Sequence, residues 1–303
     1  MQPFQQLTVA ELPERPHRPH PYFDLPGEEV VVPCPWGPVR THLRRAGSGP
    51  PLLLLHGLMT AGYSWRYVIE PLGEHFSLYI VDLPCAGRSE KTQRGTTPED
   101  VSAWLSALVD TLGVRGAAVI GNSMGGYLSM GWALDDPGAM SRLVNLHSPG
   151  FVEPRLYALH HLMGLPGTRR LLRALIASDP RRWVQRNVHY YDESLKSLEE
   201  LDEYAAPLLG RDGAAAFARV LRDSMSPYAM KDFQRRLRGE TFPIPLQLVY
   251  AAQDPVVPPG YGERFVKLVP EAELVQLAEG SHFAHVDAPE AFCEAVLPFL
   301  LSS

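Results

Sequence analysis

The chain of 303 residues is short of several things, and each shortage removes a class of protein. It has three cysteines, Cys34, Cys85 and Cys293, too few and too odd in number for a disulfide framework. A reducing cytoplasm is therefore the default expectation. No run reaches the roughly eighteen apolar residues of a membrane-spanning helix, so no membrane partner is expected. The opening "MQPFQQLTVAELPERPHRPHPYF" has no basic segment followed by an apolar core, and no secretory leader is read in it. Basic residues are not in excess: 28 Lys and Arg against 34 Asp and Glu leave a net charge of −6. That balance argues against nucleic acid as the main partner, since phosphate binding needs a basic face. The local runs Arg169, Arg170, Arg173 and Arg181, Arg182, Arg186 are expected on solvated helix faces. No internal repeat or low-complexity segment stands out.

What the chain does have is a series of short, continuous apolar runs. "PLLLLHG" (51–57), "FSLYIVD" (76–82), "GAAVIG" (116–121), "SRLVNLH" (141–147), "PLQLVYA" (245–251) and "AELVQLA" (272–278) suit strands buried on both faces. "EVVVP" (29–33) and "VRTHLRR" (39–45) flank the turn-rich "CPWG" and predict a hairpin. Between the runs lie helical patterns, such as "SAWLSALVDTL" (102–112) and the proline-led "PEAFCEAVLPFLL" (289–301). The alternation predicts an α/β protein with a mainly parallel sheet flanked by helices. Residues 150–240 break it: no strand-like run occurs there, only segments such as "TRRLLRALIAS", "SLEELDEYAAPLL" and "AAAFARVLRDSM". They predict an inserted helical cap over a core made of 29–149 and 241–303. Residues 1–28 read as an extended arm, with metal binding by His17 and His20 as a lesser alternative.

In open α/β sheets ligands bind beyond the carboxyl ends of the strands, so the residues there are the candidates. They are His56, Gly57 and Leu58; Asp82 with "LPCAGRS"; Asn122 and Ser123; His147; Asp254 in "AQDPVVP"; and His282 and His285 in "EGSHFAH". A nucleophile, an acid and a base follow in the order Ser123, Asp254, His282, and Gly-Asn-Ser-Met-Gly (121–125) fits a G-x-S-x-G elbow between strand and helix. From about residue 29 onward the chain strongly resembles the α/β-hydrolase family, in its "LLLLHG", "DLPCAGRS", elbow, "DPVVP" and "GSHFAHVDAPEAF" segments and in the place of its cap.

The resemblance implies that Ser123 attacks an acyl carbon, that His282 takes the serine proton, and that Asp254 orients and charges the imidazole. It implies backbone N–H groups of Leu58 and Met124 as oxyanion donors, and no metal or organic cofactor. His285 is the lesser candidate for the base. His56 is expected to structure the oxyanion loop, Asp82 to hold the turn after it, and His147 to border the pocket or sit in the sheet end. Asn122 either touches the pocket or finishes the turn. Tyr157, Trp183, Tyr190 and Arg186 of the cap are pocket candidates, alongside the reading that such aromatics fill the cap's own core. Two departures from the family pattern affect loops only: Cys85 replaces a glycine of the Asp-x-x-Gly-x-Gly turn, and Ala251 a glycine before the acid.

Serine at the nucleophile position argues against haloalkane dehalogenases and epoxide hydrolases, relatives that use aspartate there. The expected reaction is hydrolysis of a small or medium, largely apolar carboxylester or lactone, with water as the second substrate. Meta-cleavage-product hydrolases also carry Gly-Asn-Ser-Met-Gly-Gly and cut a carbon–carbon bond, which requires a polar grip on a carboxylate; Arg186 and Asn187 are the candidates here. A ligand receptor without turnover is the alternative of another class.

Overall fold

Strand β3 (Pro51–Leu55) shows how the apolar runs become a sheet. Its side chains alternate between faces, with Leu52 and Leu54 in one core cluster and Leu53 and Leu55 in the other, none of them exposed. A strand buried on both sides requires a helical layer on each. The computed structural model describes residues 4–165 and 167–302 and supplies both layers.

The other strands are β1 (Gly27–Cys34), β2 (Gly37–Ala46), β4 (Ser77–Val81), β5 (Ala117–Asn122), β6 (Met140–Leu146), β7 (Leu246–Ala251) and β8 (Glu273–Leu277). They form one sheet in the order β1-β2-β4-β3-β5-β6-β7-β8. Only the pairs made by β2 are antiparallel; the rest are parallel. All eight expected strands are present.

On one face lie α1 (Ile69–Gly73) and α12 (Pro289–Leu301), on the other α2 (Pro98–Leu112) and α3 (Met124–Asp135). Helix α2 starts four residues before its apolar pattern because Thr97 and Asp100 exchange side-chain-to-backbone bonds of 3.2 and 3.3 Å around Pro98. Gly113, at φ 67°, ends it.

Between β6 and β7 the described residues form α4 (Pro154–Gly164), α5 (Thr168–Ser178), α6 (Pro180–Asn187), α7 (Leu198–Ala205), α8 (Gly210–Asp223) and α9 (Pro227–Gly239), with no strand. Two short helices lie between β7 and α12: α10 (Tyr261–Val266) and α11 (Ala284–Asp287). Arg170, Arg173, Arg181, Arg182 and Arg186 are exposed, as solvated faces require; the Arg169 side chain lies outside the described residues. Among the described residues no helix is long and apolar enough to cross a membrane.

The cap is fastened to the core by charge. Arg66, in the loop before α1, forms a fully buried ion pair with Glu200 of α7 and lies 4.5 and 4.4 Å from the ring centres of Tyr63 and Tyr67. The N-terminal arm is strapped onto the same seam. The backbone N–H groups of Leu198 and Glu199 donate to Pro13 O (2.8 Å) and Glu14 O (2.9 Å), and His20 Nε2 bonds Glu199 (3.0 Å). His17, by contrast, is exposed.

Candidate active site

β5 runs into α3 with a single residue between them, Ser123, held at φ 52° and ψ −117°. A residue with a β-carbon pays for that conformation, and the surrounding glycines make it geometrically possible. A Cβ on Gly121 would sit 2.6 Å from Gly126 Cα, and one on Gly125 would run into the Leu55 carbonyl. Small residues therefore let strand and helix close on each other while the serine is lifted to the sheet's edge. Asn122 is buried beneath it and donates from Nδ2 to the His282 carbonyl at 3.1 Å. It finishes the turn and ties the elbow to the histidine loop; it does not line the cavity described below.

Asp254 follows β7 and His282 follows β8, which brings them beside the elbow. Asp254 Oδ1 accepts the backbone N–H groups of Val256 (2.7 Å) and Val257 (2.9 Å), and Oδ2 accepts His282 Nδ1 (2.7 Å). Burial alone would raise the Asp254 carboxyl, but His282 and His147 outweigh it and hold the group well below the usual carboxylate range. With Nδ1 donating to a permanent anion, His282 keeps Nε2 as its proton acceptor. Ser123 and His282 line one cavity, although no hydrogen bond joins them among the described residues. Such contacts commonly tighten only when substrate is bound.

Met124 is the first residue of α3, so its N–H has no partner within the helix and points where negative charge is favoured. Leu58 lines the cavity with Ser123, and Leu58 and Met124 border a small adjoining recess with Cys85. Cys85 adopts the left-handed conformation usual for glycine, φ 70°, so the turn keeps its form without the glycine. Ala251 is accommodated inside β7 with no exposure.

The cavity has a volume of about 470 Å³ and largely apolar walls. Leu156, Leu159 and Met163 face it from α4, Phe217 and Leu221 from α8, and Trp183 from α6. Glu153 and Arg155 are its charged lining residues, and they pair with each other at 2.5 Å; Tyr261 Oη donates to Glu153 at 2.6 Å.

Several expected pocket residues stand elsewhere. Arg186 is exposed on the arm side of α6, with Arg182 and Gln185, because it lies about 100° around the helix from Asn187, which does reach the cavity. Tyr190 is buried in the seam, packed edge-on against Phe283 at 5.6 Å. Tyr157 stacks edge-on with Tyr228 at 5.5 Å within the cap. His56 is fully buried: Nε2 accepts Leu83 N–H (3.0 Å) and Nδ1 donates to Gly57 O (2.8 Å), so it braces two loops. His285 is fully buried against Trp65, ring centres 4.3 Å apart, and burial pushes it well below its ordinary pKa. His147 follows β6 and is fully buried, outside the cavity lining. Asp82 holds the following turn, accepting N–H groups of Gly62 and Arg88 at 2.8 Å each.

A strained serine at a strand-to-helix elbow, an acid and a histidine on later strand ends, and a helical cap over a parallel sheet define an α/β hydrolase. The match to the alpha/beta hydrolase fold family model spans residues 50–289, and the chain belongs to that family. It is 29% identical, over 86% of its length and 91% of the relative's, to a 2-hydroxy-6-oxononadienedioate/2-hydroxy-6-oxononatrienedioate hydrolase of Burkholderia vietnamiensis. It is 31% identical to a soluble epoxide hydrolase of Corynebacterium sp., over 61% of this chain and 70% of that one. A thermophilic esterase from Thermogutta terrifontis superposes with a TM-score of 0.72 at 18% identity, covering 90% of this chain and 98% of the other, a likeness of fold.

Proposed function

We propose that this hydrolase cleaves an uncharged, largely apolar carboxylic ester or lactone of small to medium size through an acyl-enzyme on Ser123. The observation that carries the reading is the cavity: apolar walls converge on Ser123 and His282, and its two charged residues neutralise each other. His282 Nε2 takes the Ser123 proton as Oγ attacks the carbonyl, and Asp254 stabilises the imidazolium that forms. The N–H groups of Leu58 and Met124 hold the tetrahedral oxyanion, His282 returns its proton to the leaving alcohol, and water repeats the sequence to release the acid.

The name of the Burkholderia relative, a dicarboxylate hydrolase, raises carbon–carbon cleavage of the meta-cleavage type as the second reading, and Gly-Asn-Ser-Met-Gly-Gly at 121–126, on which that resemblance rests, favours it. A substrate carboxylate needs an unpaired cation in the cavity, and among the described lining residues there is none. The epoxide hydrolase name is less applicable, because serine replaces the aspartate that chemistry uses. We expect p-nitrophenyl butyrate to be turned over with a higher kcat/KM than a dienol diketone carrying a carboxylate. The reverse preference would overturn the ester reading.

A further inference from the structure

One buried titratable group touches the reacting corner without a task in the steps above: His147. It follows β6, has no exposure, and holds its backbone at φ 53°, where side-chain-bearing residues are disfavoured. Its neighbours dictate its tautomer. The Ala251 N–H donates to Nε2 at 3.2 Å, which leaves the ring proton on Nδ1. Nδ1 lies 2.8 Å from Asp254 Oδ2, the oxygen that His282 Nδ1 reaches at 2.7 Å. The His147 N–H is not aligned for a hydrogen bond in this arrangement, so it meets Oδ2 as a close electrostatic neighbour while His282 holds the hydrogen bond. Burial pushes His147 below its ordinary value, so it meets the carboxylate as a neutral donor.

The same three atoms lie within 4.8 Å of one another and are the described His and carboxylate cluster best placed to hold a cation. Spacing separates the two readings. Ligands around a tetrahedral zinc ion with bonds near 2.0 Å stand about 3.3 Å apart. Here both nitrogens stand within 2.8 Å of the oxygen, the spacing of shared protons.

We propose that His147 is a positioning residue for the reaction proposed above: its Nδ1–H, set against Asp254 Oδ2 beside His282, holds the carboxylate in place and limits the negative charge it presents to the His282 ring. The inference rests on the Ser123–His282–Asp254 reading. The other charged or titratable groups around the ring are Tyr250 of β7, edge-on at 5.6 Å with its Oη donating to Ser148 O, His285 and Asp287 of α11, Arg66 behind His285, and Glu153 and Arg155 across the cavity. Among the described residues none of these bonds Asp254, so the surroundings of Oδ2 are set by the His282 hydrogen bond and the neighbouring His147.

The test is kcat/KM against pH for the wild type, His147→Leu and His147→Asn. Leucine keeps bulk and removes the donor; asparagine offers an N–H near the Nδ1 position and tolerates positive φ. Without the donor, more of the carboxylate's charge acts on His282, which then holds its proton to higher pH. The acidic limb of His147→Leu moves up by about half a unit to one unit, and its plateau falls about fivefold, as for the loss of one polar contact to a buried charge. His147→Asn leaves the limb where it was. An unmoved limb in folded His147→Leu, or an equal shift in both variants, overturns the inference. If His147→Leu does not fold, ¹⁵N-histidine NMR of the wild type, assigned with His147→Asn, decides: an Nδ1–H tautomer supports the inference and an Nε2–H tautomer overturns it. Failure of a fluorophosphonate to label wild-type Ser123 removes the serine reading and this inference together; labelling with an unmoved limb removes the inference alone.

Discussion

Asp254 and Glu200 both have side chains without exposure, yet they settle in opposite directions. Asp254 has two backbone N–H groups on one oxygen, the His282 N–H on the other and His147 at 2.8 Å beside it, and is held well below the ordinary carboxylate range. Glu200 has Arg66 on one oxygen and no hydrogen-bond partner on the other, and burial pushes its carboxyl up despite Arg66. Burial does not decide the charge of a buried acid; the donors that replace water do. The strand-end corner is thus built for permanent charge beside the candidate base His282. The seam is a fastening between cap and core, whose ion pair is costly to form and costlier to break.

Breaking each acid separates the two roles. Asp254→Asn is expected to lower kcat on the order of 10⁴-fold, since the amide no longer enforces the His282 tautomer, with little change in Tm. Glu200→Ala strands the Arg66 charge and is expected to cost about 3–5 kcal/mol of stability in denaturant titration. Its activity per folded molecule should change far less, and Arg66→Met with Glu200→Leu should recover most of the loss. A large kcat effect from Glu200→Ala at full folding would erase the distinction. The smallest effects concern the cap helix α6, where Trp183 faces the cavity and Arg186 does not. Trp183→Ala should change relative kcat/KM across ester chain lengths about tenfold. Arg186→Ala should leave KM within about twofold, as for other surface changes.

Most of the core was legible in the sequence because two-faced burial writes continuous apolar runs, and topology sends their ends to one edge. That logic located Ser123, Asp254 and His282 from residue type and chain order, and their juxtaposition follows from it. The cap was legible only as helix. Its sequence has apolar residues for two purposes, filling itself and lining a cavity, and periodicity does not say which helix face meets which. Trp183 and Asn187 share a face at i, i+4 spacing, a signal available beforehand; Arg186 belongs to the next face round, toward an arm whose docking no local pattern announced. The Leu156, Leu159, Met163 stripe was equally readable as core. The Arg66–Glu200 pair joins residues 134 positions apart and leaves no periodic trace. His147 is the subtler case, a histidine at a strand end whose meaning depends on one oxygen of a residue on the next strand.

The central claim is that Ser123 is a nucleophile activated by His282. Incubation with a fluorophosphonate followed by intact-mass and peptide mass spectrometry tests it directly. The account predicts one adduct per chain, carried by the peptide containing Ser123, absent in Ser123→Ala and formed on the order of 10³-fold or more slowly in His282→Ala. A folded wild type that takes up no adduct, or an adduct that persists in Ser123→Ala, would contradict it.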